Sequence, residues 1–329
     1  MFRILPTAVL LLAAVAVILM GLFPQLTAGL SVVTPFSQGL AFVHVAGMGL
    51  AGLSLIWAAI MLLRRGRRLT LVIAVTWLIA GLVPVLFPSG VLYPRANPDD
   101  VARTPLRIVT FNAASTLTGA DLQQIIDTFA PDVMVLPETS SDEVERLLRG
   151  AGFRGKVFGT PDAGLPPSYT GQIEPTTVVV RAELGEAHLT AGPVTSFGTV
   201  ALKFDDPKIP TVVAVHTAPP LPALVGEWRG DLDRVTAFAE GFGGPVIIAG
   251  DFNATLRHGP LARRTKLVDS AQQCGREVGT WHTRFPGFMR SPIDHVFITP
   301  DLDAQDCRVA DIGRSDHAAY VTTVLMPRT

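Results

Sequence analysis

The most constraining feature of this chain is a run of 60 consecutive residues, from Ile4 to Leu63, that contains no Asp, Glu, Lys or Arg. A helix needs about 20 mostly apolar residues to cross a bilayer. The sequence predicts three transmembrane helices, spanning about residues 6–23, 40–63 and 69–87. Core helices of a soluble domain are the alternative, but these segments lack the polar stripe such helices carry. Gly47 and Ala51 are spaced for close contact between two helices.

Charge is distributed unevenly along the chain. Residues 1–96 contain six basic and no acidic residues, whereas the remainder carries 21 basic and 28 acidic residues, a net charge of −7. Arginines cluster in the turn at 64–68, and Arg3 precedes the first predicted helix. Because short loops rich in Lys and Arg stay in the cytoplasm, we expect a multi-pass cell-membrane protein with a cytoplasmic N-terminus. Three spans then place the residues after Phe87 outside the cytoplasm.

The second part of the chain has the composition of a globular domain. Residues 88–105 are rich in Pro, Asn and Asp and are interpreted as a linker. Residues 106–329 are numerous enough to bury a core of their own. Both cysteines, Cys274 and Cys307, lie in this domain. In an oxidising exterior they can form one disulfide, and two buried thiols are the alternative.

Apolar periodicity in the globular domain predicts strands with few helices between them. Helices are predicted near Leu122–Phe129, Ser140–Leu148 and Trp228–Phe238. The predicted strands are Leu106–Asn112, Asp132–Leu136, Thr176–Val180, Thr199–Phe204, Thr211–His216, Pro245–Asp251, Pro292–Ile298 and Tyr320–Leu325. This pattern favours an α/β fold with two packed sheets over a plain doubly wound sheet.

Most polar residues with catalytic or metal-binding potential stand at the ends of predicted strands. They are Asn112 in TFN, Glu138 in LPET, His216 in VHTAPP, Asp251 and Asn253 in GDFN, Asp294 in IDHV, and Asp316 and His317 in SDH. Carboxylate and amide oxygens are the ligands that Mg²⁺ prefers. Each short motif alone is more typical of a turn or a helix cap, so the prediction depends on the whole set.

In order and spacing these motifs resemble the endonuclease/exonuclease/phosphatase superfamily, over about Leu106–Leu325. The resemblance implies a four-layered α/β sandwich, in which two packed mixed sheets are flanked by helices. It also implies a hydrolase that acts on phosphate esters and uses Mg²⁺ or Mn²⁺. By this resemblance Glu138 is the metal ligand, with Asn112 and Asp316 beside it. Ala114 stands where apurinic endonucleases of the family have a second acid, which disfavours abasic-site repair.

The resemblance also assigns the catalytic residues. Asp251 and Asn253 are expected to orient the attacking water and contact the phosphate, and Asp294 to orient His317. His216 is expected near the scissile phosphate, as a catalytic and substrate-binding residue. Whether Asp251 or His317 takes the proton of the water is open at this stage. Four further histidines are bystander candidates, of which His295 either lines the cleft or is structural: His188, His258, His282 and His295.

Charge and layout bear on the substrate. Lys and Arg contacts dominate affinity for nucleic acid, so a net charge of −7 disfavours such a substrate without excluding it. A linker of under 20 residues after membrane helices favours a lipid bilayer as partner and a phosphorylated lipid or small molecule as substrate. The layout is similar to the membrane-anchored teicoplanin-resistance proteins of actinobacteria. An extracytoplasmic nuclease and a non-catalytic membrane sensor are the alternatives, and no protein partner is predicted.

Overall fold

The computed structural model describes residues 4–63, 68–90, 104–160, 175–275, 277 and 279–326. The chain divides into two compact units, which consist of Met1–Leu92 with Leu256–Ala262 and of Tyr93–Thr255 with Arg263–Thr329. Arg3, most of the basic turn at 64–68 and most of the predicted linker lie outside the described residues. Predictions that depend on the structure of those segments stay predictions.

Apolar helices form most of the first unit. They are α1 (Ile4–Leu22), α2 (Phe36–Ala41), α3 (Val43–Leu63) and α4 (Arg68–Leu86). By length and composition α3 and α4 can each cross a membrane, whereas the apolar segment Pro6–Leu22 of α1 is shorter. Two of the three predicted spans therefore have candidate helices, and the third is not confirmed. The separate helix α2 makes α3 begin three residues later than predicted.

Small residues allow α3 and α4 to pack backbone against backbone. A Cβ atom added to Gly47 would lie 2.6 Å from the carbonyl oxygen of Gly81. A Cβ atom added to Gly81 would lie 2.5 Å from the backbone nitrogen of Ala51. Any larger side chain at either glycine would force the helices apart. The predicted contact through Gly47 and Ala51 therefore forms between α3 and α4.

The first unit also contains Leu256–Ala262, a segment from far along the chain. Its Arg257, 2% exposed, donates hydrogen bonds to the carbonyl oxygens of Gly21 (2.9 Å), Phe87 (2.7 Å) and Pro88 (2.6 Å). Carbonyl groups at helix C-termini have no partner within their own helix, and these three lie at or just after the ends of α1 and α4. The guanidinium group therefore caps two helices of this unit, although the sequence analysis places residues 106–329 in one domain.

The second unit is built from β-strands with short helices. The strands are β1 (Pro105–Thr110), β2 (Val133–Leu136), β3 (Gly155–Gly159), β4 (Thr177–Arg181), β5 (Ala187–Leu189), β6 (Thr199–Phe204), β7 (Thr211–His216), β8 (Val246–Asp251), β9 (Val268–Asp269), β10 (Asp294–Ile298), β11 (Asp303–Asp311) and β12 (Ala318–Leu325). The helices are α5 (Gly119–Phe129), α6 (Ser141–Ala151), α7 (Val225–Gly241) and α8 (Ser270–Gln273).

The strands form two six-stranded sheets, in the orders β11-β12-β1-β2-β4-β3 and β5-β6-β7-β8-β10-β9. Each sheet has one parallel pair near its centre, β1 with β2 and β7 with β8, and antiparallel pairs elsewhere. All eight predicted strands are present. The four strands that the sequence analysis missed, β3, β5, β9 and β11, are the four edge strands of the two sheets.

Alternating side chains of the first sheet enter two different cores. In β1, Leu106 and Ile108 point into a core shared with Ile247 and Ala249 of the other sheet. Val109 points the opposite way, into a core formed with α5 and α6 that includes Leu122. This two-residue period places the two sheets face to face and a helical layer behind the first. The predicted arrangement of two packed mixed sheets flanked by helices is confirmed.

A disulfide joins Cys274, directly after α8, to Cys307 in β11. The two cysteines are 33 residues apart in sequence. Of the two alternatives left open by the sequence, the structure therefore has the disulfide. Because a cross-link restricts the unfolded chain, a loop of this length contributes about 3–4 kcal/mol to stability in the chain-entropy model.

We expect the double variant Cys274→Ala/Cys307→Ala to unfold at a lower temperature than the wild type, by roughly 10 °C for a unit of this size. Thermal unfolding of the full chain in detergent, followed by near-UV circular dichroism, measures the difference. A reductant should lower the Tm of the wild type by a similar amount and leave the double variant unchanged. Equal Tm values for wild type and double variant would show that the disulfide contributes no stability.

Candidate active site

The strand ends bring the predicted site residues to one edge of the sandwich. In the second sheet, Asp251 of β8 lies opposite Asp294 of the antiparallel β10 and beside His216 of the parallel β7. In the first sheet, β1 ends where β12 begins, which places Asn112 close to His317. Tertiary structure thus joins residues that are up to 205 positions apart in the sequence.

Asp251 lies at the centre of the site and is 1% exposed. It follows Gly250, whose φ of +146° and close approach to β7 admit no side chain, since an added Cβ would lie 1.8 Å from the Val215 carbonyl oxygen. The Asp251 Oδ1 atom accepts from the backbone N–H of Asn253 at 2.7 Å. Burial, reinforced by the Asp294 carboxylate, raises the pKa of Asp251 to about 7, against the opposing charge of His317.

Asn112 connects the two sheets inside the site. Its side-chain Nδ2 donates to Asp251 Oδ2 (2.9 Å) and to Glu138 Oε1 (3.0 Å). Its Oδ1 accepts from the backbone N–H of Ala114 at 2.9 Å. The backbone carbonyl oxygen of Asn112 accepts from the Ser315 hydroxyl at 2.7 Å. That hydroxyl in turn accepts from the backbone N–H of His317 at 3.0 Å. Asn112 therefore holds two carboxylates at a fixed separation, and Ser315, to which the sequence analysis gave no role, fixes the backbone behind it.

Asp294 orients His317 by a hydrogen bond. The His317 Nδ1 atom lies 2.8 Å from Asp294 Oδ2, and the Nε2 atom lies 3.7 Å from Asp251 Oδ2. Burial alone would lower the pKa of His317, but the carboxylates of Asp294 and Asp251 outweigh burial and raise that pKa to about 10. At neutral pH the ring is therefore an imidazolium with both N–H groups directed at carboxylates.

His216 lies beside the same carboxylates in the opposite charge state. Its Nε2 is 3.6 Å from Asp251 Oδ2 and 3.8 Å from Glu138 Oε1. Complete burial, with a smaller contribution from the charge of His317, lowers the pKa of His216 to about 3. The ring is therefore neutral, and its proton belongs on Nε2, which faces the carboxylates. Phe197 packs edge-on against this ring at 5.0 Å and fixes its plane.

Glu138 and Asp316 are the more exposed acids of the site. Glu138 follows β2 with a φ of +53°, and 26% of its side chain is exposed. Burial raises the pKa of Glu138, opposed by the Asn112 hydrogen bond. The carboxylate of Asp316 is half-buried and accepts from the indole Nε1–H of Trp281 at 2.9 Å.

The donor set fits a divalent cation. The carboxylates of Asp251 and Asp294 each offer a ligand oxygen within 4.8 Å of the other, whereas the adjacent His317 imidazolium has no free lone pair to offer. The buried Asp294 Oδ1 has no hydrogen-bond partner among the described residues. An unpaired buried carboxylate oxygen is costly, and repulsion among neighbouring acids adds to that cost. A hard cation that prefers oxygen ligands relieves both.

The segment that follows His216, which Asn253 contacts, is held by a residue that the sequence analysis missed. The Asn253 side chain donates to the Thr217 carbonyl oxygen at 3.0 Å. Asp231 of α7, fully buried, accepts from the backbone N–H groups of Ala218 (2.8 Å) and Ser196 (3.0 Å). Asp231 thereby ties the segment after His216, at Ala218, to the segment at Ser196. Its position on the apolar face of α7 is the sequence signal that could have revealed this role.

The bystander histidines occupy four different surroundings. His188 lies on the surface beside Asp205, His258 lies in the first unit with its Nε2 on the Ser37 carbonyl oxygen, and His282 follows Trp281. His295 is buried, with Nδ1 2.6 Å from Asp269 Oδ2 and Nε2 2.9 Å from the Ala254 carbonyl oxygen.

Both partners of His295 can only accept hydrogen bonds, so the ring must donate twice. Burial alone would lower the pKa of His295, but Asp269 outweighs burial and the net shift is upward. Of the two alternatives for His295, the structure therefore has the structural one. The ring holds Ala254, directly after Asn253, and does not line the cleft.

We expect His295→Gln to lower the free energy of unfolding by about 3 kcal/mol below pH 6, because it leaves Asp269 short of its charged partner. A raised pKa in the folded state makes this contribution complete below the unfolded value of about 6.5 and lost as pH rises through the folded value. The difference from wild type should therefore shrink in alkaline buffer. His188→Gln, at the exposed pair with Asp205, is the matched control. A loss independent of pH would contradict the charged state of His295.

Comparison with known proteins agrees with the fold. The model of the Endonuclease/Exonuclease/phosphatase family matches residues 109–317, which is more than half of the chain. No curated protein sequence matches the chain.

Solved structures share the fold at low sequence identity. A humanised TDP2 from D. rerio is 18% identical with a TM-score of 0.51, over 67% of this chain and 98% of that one. An endonuclease/exonuclease/phosphatase from Beutenbergia cavernae is 20% identical with a TM-score of 0.50, over 69% and 72%. A protein of the same family from Bacteroides thetaiotaomicron is 15% identical with a TM-score of 0.51, over 70% and 100%. The family match spans the segment from β1 to His317, in which the clustered carboxylates and histidines lie, and this chain belongs to the endonuclease/exonuclease/phosphatase family.

Proposed function

We propose that this chain is a membrane-anchored, divalent-metal-dependent phosphoesterase that hydrolyses a lipid-linked phosphate ester or pyrophosphate at the outer membrane surface. The observation that carries the reaction class is the convergence on Asp251 Oδ2, which lies within 3.7 Å of Asn112 Nδ2, His216 Nε2 and His317 Nε2. Members of this family are hydrolases that act on phosphate esters.

The metal site is proposed at the exposed side of this cluster. Glu138 and Asp316 would supply carboxylate oxygens, with the unpaired Asp294 Oδ1 and Asp251 behind them. When bound, Mg²⁺ or Mn²⁺ would neutralise charge on the phosphoryl oxygens and act as a Lewis acid. A cation there would also lower the raised pKa values of Glu138 and Asp251 by direct Coulomb attraction.

The chain's own residues supply the remaining chemistry. Hydrolysis needs a positioned water, a group that accepts its proton, and stabilisation of charge on the phosphate. Asp251 is proposed as the proton acceptor, because the other candidate, His317, already carries both of its ring protons at neutral pH. The His317 imidazolium, held by Asp294, places positive charge beside the phosphate. Asn253 and the neutral His216 are proposed to bind phosphate oxygens through their N–H groups.

A lipid substrate is favoured by charge and by tethering. The residues after 96 carry a net charge of −7, which repels a polyanion such as DNA. Two helices long enough to cross a membrane precede the catalytic residues, and the segment 91–103 that follows them can extend at most about 45 Å. This layout is again similar to the membrane-anchored teicoplanin-resistance proteins. An extracytoplasmic nuclease is the second candidate, and the same assay separates the two.

We expect the full chain in detergent with Mg²⁺ to hydrolyse polyprenyl pyrophosphate or sphingomyelin faster than DNA or RNA. EDTA should abolish the activity, and added Mg²⁺ or Mn²⁺ should restore it. Glu138→Ala and His317→Ala should each lower kcat by about 10²–10³, the cost of losing one charge-stabilising group. Glu183→Ala, at an exposed ion pair with Arg154, is the matched control. Rapid DNA cleavage without lipid turnover would reject the lipid substrate, and full activity of either site variant would reject the site.

The orientation in the membrane is the second testable part of the proposal. The arginine turn at 64–68 favours a cytoplasmic position, and the Cys274–Cys307 disulfide is typical of an oxidising compartment. A C-terminal alkaline phosphatase fusion should therefore be active in bacterial cells, and a C-terminal green fluorescent protein fusion should be dark. The reverse result would place the catalytic unit in the cytoplasm.

A further inference from the structure

The loop between Trp281 and Arg290 exposes two aromatic side chains. Phe285 is 45% exposed and Phe288 is 66% exposed. No other Phe, Trp or Tyr side chain among the described residues of the second unit is as exposed. Exposed large apolar side chains that lie close together often mark a binding site for a ligand, a membrane or another protein.

The structure of the loop keeps these rings exposed. Arg290 is 8% exposed, and its guanidinium group donates to the carbonyl oxygens of Phe285 (2.7 Å) and Thr283 (3.0 Å). The same group pairs with both carboxylate oxygens of Asp311, at 2.5 and 3.0 Å. At the base of the loop, Trp281 donates its backbone N–H to the Ser291 carbonyl oxygen at 3.0 Å. The buried Arg290 guanidinium thus fixes the backbone conformation of this loop. That conformation leaves the two phenyl rings exposed.

A row of aromatic rings connects this loop with the catalytic residues. The Trp281 indole donates to the Asp316 carboxylate, and the Thr283 N–H donates to the Asp316 carbonyl oxygen at 2.9 Å. The Trp281 and His282 rings are 5.5 Å apart, and the His282 and Phe285 rings are 6.3 Å apart. The row therefore begins at a proposed metal ligand and ends at an exposed phenyl ring.

From this continuity we propose that Phe285 and Phe288 form a subsite for the hydrocarbon chain of the substrate. The inference rests on the proposed phosphoesterase function and names the part of the substrate that lies outside the phosphate site. A group esterified to a phosphate beside Asp316 leaves the site along the aromatic row. Apolar surface at its end favours an isoprenoid chain, and the exposed cation of Arg284 suits the anionic groups of a lipid head region.

The test is a chain-length series of prenyl diphosphates. In the assay, full-length protein in amphipol with Mg²⁺ is given dimethylallyl, geranyl or farnesyl diphosphate, and the release of phosphate is measured. We expect kcat/KM of the wild type to rise at least about tenfold from 5 to 15 carbons, mainly through KM, since each buried methylene favours binding. In Phe285→Ser/Phe288→Ser the same rise should fall below about threefold.

Two matched variants separate the subsite from general effects of substitution. Leu189→Ser/Val194→Ser removes two other exposed apolar side chains, which are 63% and 71% exposed, and should keep the wild-type chain-length dependence. Phe285→Leu/Phe288→Leu keeps apolar surface in the loop and should retain most of that dependence. Thermal unfolding of every variant should match the wild type, because both phenyl rings lie in water in the folded protein.

The outcomes distinguish this inference from the proposed function. A wild type with no chain-length dependence, or a serine variant that keeps the full dependence, overturns the hydrocarbon subsite while the phosphoesterase remains. Hydrolysis of other phosphate esters with no prenyl diphosphate turnover overturns the isoprenoid substrate and this subsite together. A preference for thymidine 5′-(p-nitrophenyl phosphate) that the serine variant loses would assign the subsite to a nucleobase and also overturn the inference.

Discussion

The site depends on the hydrogen bonds that Asn112 donates from one sheet to carboxylates of both sheets. A single amide nitrogen contacts Glu138 at the end of β2 and Asp251 at the end of β8, at about 3 Å each. Two sheets held together only by apolar side chains can slide, because hydrophobic contact is not directional. The amide fixes their relative position at the catalytic edge, and loss of a buried partner of this kind costs about 1–3 kcal/mol. The separation of the two acids, and hence the size of the proposed cation site, depends on this one side chain.

Electrostatics then gives two neighbouring histidines opposite charge states. His216 and His317 are both buried, and both Nε2 atoms lie within 3.7 Å of Asp251 Oδ2. Burial lowers the pKa of each ring, but only His317 has the second carboxylate, Asp294, in direct hydrogen bond. That carboxylate reverses the shift, so one ring is an imidazolium and the other is a neutral donor at neutral pH. The site can therefore place one positive charge and one neutral N–H group beside the same phosphate.

Prediction from sequence succeeded for segments whose apolar pattern is typical of a single type of secondary structure. All eight central strands carry continuous or alternating apolar residues, because both faces of a central strand are buried in this sandwich. The four edge strands were missed because they are short or half-exposed, as in β3 and β11, and so lack that pattern. The helix boundary at Phe36–Ala41 likewise could not be read from hydropathy, since every residue there is apolar or uncharged. Asp231 and Ser315 were missed because their partners lie 13 to 203 positions away in the sequence.

The types of the chemical groups, the order of the motifs and the division between an apolar, acid-free first part and an acidic second part can all be read from the sequence. Local pattern suffices for these, because apolar periodicity and the residues at strand ends are properties of short segments. Three further properties follow from tertiary contacts. They are the charged state of His317 beside Asp294, the exposure of two phenyl rings on one loop, and the pairing of Cys274 with Cys307. Those outcomes depend on distances between distant segments and on the dielectric environment that burial creates, and neither is encoded in the spacing of residues along the chain.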